Sequence, residues 1–272
     1  PNWDALLDQI TWDEMVNCIT LGYHGTAAIP SIGKAATHEE NGPQGLTAAL
    51  TGGDSAMCYT SEDVMAATFN TELIKTVGEC IGEDCLMMGY SGLYGPGVNI
   101  HRTAYSGRNF EYYSEDPFIS GTICAAEVQG IQSKGVYVYM KHVALNDSET
   151  FRCGICTWIN EQAAREIYLE VVALAAENGD ATGVMSGFDR WGAQWSGENY
   201  NLLTGFLREE LGMTGIFITD YSGTSYYMDT PDALLAGTNL WDSPDAEIHP
   251  GQLASYGNDP VIVSAARNAM HR

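Results

Sequence analysis

The sequence predicts an α/β fold, a (β/α)8 TIM-like barrel whose repeats are allowed to be irregular or incomplete. Three observations carry that expectation. The length of 272 residues suits one barrel domain, so residues 1–272 are expected to form a single domain. Short apolar runs rich in β-branched and aromatic residues alternate with runs of helical period, the pattern of a parallel sheet covered by helices. Polar groups stand where several of those apolar runs end: His101, Lys141 with His142, Ser186, Asp220 and Asp242. In a barrel, the C-terminal strand ends form the working face.

The elements follow in order. "TWDEMVNCITLGYHG" reads as an amphipathic opening helix, and a weak first strand is expected before Asn41. Residues 61–88 read as one helix. Ser61 can cap it, Val64, Ala67, Leu73, Val77, Ile81 and Cys85 keep helical spacing, and Gly89 stops it. "LYGPGVNI" is a short strand. "SEDPF" starts a helix with Asp116 at the cap and Pro117 in the first turn, running to Gly135. "VYVYMK" is a strand, 160–178 a helix with Ile167, Val171, Leu174 and Ala175 on one face, and "TGVMSGF" a strand. Residues 200–210 are helical, "GIFITD" is a strand, "ALLAGTNLWD" is a short helix running into a strand, and 258–271 is a helix. Roughly six or seven strands are countable, short of a full eight.

Composition narrows the function. With 12 Lys+Arg against 35 Asp+Glu the formal net charge is -23. Phosphate backbones and anionic membrane surfaces both require basic surface, so neither nucleic acid nor membrane is an expected partner. A neutral substrate such as a sugar meets no such barrier. No apolar run approaches membrane-spanning length. No signal peptide is visible, and the seven cysteines are an odd number. Together these lean towards a reducing, cytoplasmic setting, with localisation otherwise open. Cys80 and Cys85 fall in one expected helix and are poorly placed to pair. "RCGIC" has the spacing of a redox or zinc motif, but a lone CxxC is weak, and buried or reduced thiols are the plain reading. GxGxxG, P-loop, HExxH and GxSxG are all absent, and no cofactor or metal is expected.

Asp220 ends a strand that otherwise reads as core. It is either a cap for the amides of Ser222 or Gly223, or a functional carboxylate. Lys141 can form a Schiff base, donate hydrogen bonds to a polar ligand, or simply pair with Glu149 or Asp147. "SGRNFEYYSEDP" offers Arg108, whose planar guanidinium suits fixed hydrogen bonding, or else is a surface loop. Glu149 and Arg152 read as a supporting ion pair.

Taken together, "NGPQGL", "GPGVNIHR", "GRNFEYYSEDP", "KHVALND", "REIYL", "VMSGFDR", "LLTGFLREELGMTGIFITDYSG" and "ALLAGTNLWDSP" resemble the barrel domain of glycoside hydrolase family 3, in the family's order and over nearly the whole chain. The resemblance implies a retaining β-glycosidase of β-glucosidase type acting on terminal β-D-glucosyl residues. It implies that Asp220 is the nucleophile that forms a covalent glycosyl-enzyme. Arg108, Lys141 and His142 match residues that bond sugar hydroxyls, and Met185 and Ser186 match the segment lining the pocket. Three positions depart from the family: Asn41 where Asp is usual, Phe188 where Tyr bonds the nucleophile, and Tyr221 where Trp is common. The family's acid/base Glu comes from a sandwich-like domain that this chain does not contain, so the acid/base is unassigned and a second domain or chain is an implied partner. Two alternatives accompany this reading. One is a sugar-binding or assembly barrel with little turnover, and the other, more distant, is a Schiff-base lyase using Lys141.

Overall fold

The computed structural model describes residues 2–223, 225 and 227–272. In chain order the elements are α1 (Asn2–Leu7), α2 (Trp12–Thr20), β1 (Glu39–Asn41), α3 (Glu62–Ala67), α4 (Thr71–Met88), β2 (Gly92–Gly97), α5 (Pro117–Gln132), β3 (Tyr137–Val143), β4 (Cys156–Thr157), α6 (Glu161–Ala163), α7 (Glu170–Gly179), β5 (Gly183–Ser186), β6 (Arg190–Trp191), β7 (Gln194–Trp195), β8 (Phe217–Ile218), α8 (Thr230–Ala236), α9 (Ile248–Ala254) and α10 (Pro260–His271). Asp and Asn side chains set several of the helix starts. Asn70 accepts from the Leu73 amide at 3.0 Å and Asp116 from that of Ile119 at 2.8 Å. Each satisfies an amide that the helix leaves open.

The chain divides into two compact units. One is Glu39–Ser196, and the other joins the residues up to His38 to Gly197–Arg272. The fold is α/β with a parallel sheet. In the first unit β1 pairs with β2, β2 with β3 and β3 with β5, all parallel. Leu93, Tyr94, Val138, Met140 and Val184 are buried on these strands, and α5 packs between α4 and α7. The α4–α5 crossing is built on glycine: a methyl group on Gly78 would run into the Glu127 carbonyl, and one on Gly130 into the Lys75 carbonyl. In the second unit β8 bridges in parallel to residue 240, with Thr219 N donating to Leu240 O at 3.0 Å. The Arg208 guanidinium lies 3.3 Å from the Phe217 ring centroid and donates to Asn239 Oδ1 at 2.7 Å. Helices α2, α8, α9 and α10 pack on one another in this unit.

The expected order of elements holds, with local corrections. The helix expected over 61–88 breaks at Phe69, whose φ of 51° leaves the helical region, and Asn70 caps a new start. Ser61 makes no side-chain cap. The Val64 amide bonds Asp63 Oδ1 at 3.0 Å instead. Gly89 stops the second helix, as expected, with φ 81°. The helix expected at 160–178 contains a π-helical stretch, Ala164–Leu169, and the one at 200–210 is π-helical over Asn201–Glu210. The opening helix ends at Thr20. Helices α1 and α9 and the small sheet of β4, β6 and β7 carry no apolar period long enough to announce them. No described helix is long and apolar enough to cross a membrane.

Candidate active site

Parallel strands place their C-terminal ends on one edge, and in the first unit those ends carry Asn41, Lys141 and Ser186. Lys141 is 3 % exposed, a burial that an ammonium tolerates only with partners. Its Nζ donates to Asn41 Oδ1 at 3.1 Å and stands 3.8 Å from Glu111 Oε2. Glu111 sits on the helical turn Asn109–Glu111, three residues after Arg108, and accepts from Arg108 Nε. Arg108 Nη1 reaches Glu149 Oε1 at 3.5 Å, and Glu149 also pairs with Arg152 Nη1 at 2.9 Å. Arg152 in turn lies 4.4 Å from the centroid of the Phe188 ring. The result is one chain of alternating charge: Lys141, Glu111, Arg108, Glu149, Arg152.

Burial pushes the Glu111 carboxyl up, but the Lys141 charge and the Arg108 bond outweigh it, and the net direction is down. Burial also works against the Arg108 charge. The bond to Glu111 outweighs it and holds the guanidinium above its usual range. His142 goes the other way. Burial, then the charges of Arg108 and Lys141, hold its imidazole well below the usual histidine range, so it is neutral. Its Nδ1 lies 3.0 Å from the Tyr112 hydroxyl, and its backbone exchanges hydrogen bonds with the Asn99 side chain at 2.8 and 3.0 Å. The Lys141–His142 peptide is cis. Met185 stands opposite Lys141 in the sheet register. Ser186 is buried, with no hydrogen-bond partner for its Oγ among the described residues.

In the second unit Asp220 follows β8 and is half-buried. Its Oδ1 accepts from the Tyr221 amide at 2.7 Å. The Ser222 amide bonds Asp242 O at 2.9 Å. Tyr221 is 47 % exposed and meets Tyr23 edge-on at 5.9 Å between centroids. Asp242, a strand-end carboxylate in the sequence pattern, accepts from the His24 amide at 3.2 Å.

The first unit thus joins Asn41, Arg108, Lys141, His142, Met185, Ser186 and Phe188 through direct bonds or adjacency. Lys141 pairs with Glu111, an acid other than Glu149 or Asp147, the partners that the ion-pair alternative named. Glu149 does pair with Arg152 as expected. Sequence reasoning missed Glu111, Tyr112 and Asn146, which donates to Glu149 Oε1 at 3.1 Å. The Arg108–Glu111 spacing of three was the available signal. All seven cysteines are free. No cluster of three or more metal-ligating side chains occurs among the described residues.

Residues 43–246 match the family described as "Glycosyl hydrolase family 3 N terminal domain". A "Beta-glucosidase" of Rhizobium radiobacter is 34 % identical over 240 residues, covering 87 % of this chain and 29 % of that protein. An "Exo-alpha-(1->6)-L-arabinopyranosidase" of Bifidobacterium longum is 36 % identical over 231 residues, covering 82 % of this chain and 29 % of that protein. Among solved structures, beta-glucosidase 3B from Thermotoga neapolitana in complex with alpha-D-glucose superposes with a TM-score of 0.88 at 29 % identity, over 98 % of this chain and 42 % of that one. The chain therefore spans less than half the length of these relatives.

Proposed function

The chain belongs to glycosyl hydrolase family 3, and on that premise we propose that it is the catalytic portion of a retaining β-glycosidase of β-glucosidase type, folded as a (β/α)8-type barrel. Asp220 is the nucleophile: it attacks the anomeric carbon and becomes a glycosyl-aspartate, which water then cleaves. Arg108, Lys141 and His142 bond sugar hydroxyls, with Asn41, Met185, Ser186, Phe188 and Tyr221 completing the contacts. The observation that carries this reading is the charge chain from Lys141 to Arg152, buried at Lys141 and Glu111 and half-buried from Arg108 onwards. A row of donors already held in place by carboxylates loses little order when it meets a polyol. Neutral His142 keeps one ring N–H and one lone pair, suited to a hydroxyl that both donates and accepts.

Retention requires a second carboxyl group about 5–5.5 Å from the nucleophile. We assign it to no residue here, and propose that a sandwich-like domain of the same parent protein or another chain supplies it. Without it, substrates whose leaving group needs no proton are favoured.

The test is incubation with a dinitrophenyl 2-deoxy-2-fluoro-β-glucoside, followed by intact mass and peptide mapping. The expected result is one fluoroglucosyl residue on Asp220 and none on an Asp220→Asn variant. Glucose binding by calorimetry with no adduct would favour a sugar-binding barrel without turnover, a reading motivated by the neutral Asn41 beside Lys141. The more distant alternative is a Schiff-base lyase using Lys141, which borohydride trapping with a carbonyl substrate would favour.

A further inference from the structure

Glu62 on α3 and Glu127 on α5 are both completely buried, and the chain of charge described above does not include them. Each has one satisfied oxygen. Glu62 Oε1 accepts from the Gly97 amide at 2.9 Å, and Glu127 Oε2 accepts from the Tyr113 hydroxyl at 2.6 Å. The remaining two oxygens, Glu62 Oε2 and Glu127 Oε1, have no donor among the described residues. Two bare carboxylates in one interior repel each other and forgo their hydration, a cost that proteins avoid by neutralising one. Helix α3 packs on α5, and after burial the Glu127 charge is the next cause that raises the Glu62 carboxyl.

We propose that Glu62 and Glu127 share a single proton between their two open oxygens, forming a neutral-plus-ionised pair that pins the end of β2 beside Lys141. One proton satisfies both oxygens at once, and a second would find no acceptor. The pinning runs through Gly97. Glu62 holds its amide, and its Cα faces the Glu111 carbonyl so closely that no side chain fits. The next amide, Val98 N, donates to Lys141 O at 2.7 Å. The pair thus fixes the strand end that positions both Glu111 and Lys141.

Tyr113 donates to Glu127, and burial followed by the two glutamate charges keeps its phenol protonated. Cys124 on α5 is likewise held as a thiol, by burial first. Glu111 raises Glu62, and Lys141 on β3 lowers it, both less than burial and Glu127 do. From α4, Gly78 packs against the Glu127 backbone. Burial lifts Glu127 to about 7. With folded values raised, the folded chain binds more protons than the unfolded one from the ordinary glutamate range up through about 7, so stability falls as pH rises across that window.

Two measurements on the full 272-residue chain test this. Infrared difference spectra at about pH 7 should show a protonated carboxyl band, lost in Glu127→Gln and in Glu62→Gln. In either variant the amide NH2 can take over the donation to the remaining carboxylate. Thermal unfolding followed from about pH 5 to 7 should show a proton uptake on folding that falls by about one in either variant. Should one variant fail to fold, the other carries the comparison. Absence of the band in the unsubstituted protein overturns the proposal without any variant. So does a band, or a pH slope, that both substitutions leave unchanged.

Discussion

Glu111 stands between two cations, and neutralising it would take a carboxylate from buried Lys141 and leave Arg108 with Glu149 alone. Removing one partner of a buried ion pair leaves an uncompensated charge and costs about 3–5 kcal/mol. Glu111→Gln is therefore expected to lower the free energy of unfolding by that order in a urea titration, despite the small change in shape. His142 supplies a pH prediction. Its folded pKa is depressed, first by burial. Its contribution is therefore present above the unfolded value of about 6.5 and lost as pH falls below it, because folding then requires a proton to be shed. The melting temperature of the unsubstituted protein should drop relative to His142→Asn between about pH 6.5 and 5. A constant difference between the two over that range would rule out the buried neutral ring. Taking the difference cancels every group the two proteins share, the Glu62–Glu127 pair included.

At the scale of elements, two short segments yield predictions. Asn70 caps α4, and Asn70→Ala should cost about 1 kcal/mol in thermal or chemical unfolding. Phe69 is 73 % exposed with φ 51°, a conformation that glycine adopts without steric penalty. Phe69→Gly is expected to be neutral or mildly stabilising, against the usual cost of glycine in a helix region. These two residues also show what the sequence concealed. Apolar period runs straight through 61–88, and nothing in that period marks a break. The stop lies in backbone angles at Phe69 and in a cap that polar Asn70 can supply. Strand ends were easier to read. Asp220 and Lys141 stood out because a charge ending an apolar run is chemically odd. Glu111 did not, since on an acidic, aromatic loop its charge looked ordinary. Glu127 sits inside the apolar run of α5, with Ala and Val around it, and that misfit was a readable sign of a buried acid. The small β4–β6–β7 sheet has strands of two residues each, too short for any period to register.

For the molecule as a whole, a formal charge of -23 means that folding gathers like charges into less space. Added salt shortens the screening length from about 30 Å at 10 mM to about 8 Å at 150 mM. The melting temperature should rise over that interval, and a flat response would mean that paired charges already balance the surface. The α4–α5 crossing bears on timing as well as on stability. Gly78 and Gly130 let the two backbones touch, so neither helix can roll or slip along the other without first parting from it. Amides on the contacting turns should therefore exchange with deuterium together, at one common rate, while those at the exposed break near Phe69 exchange sooner.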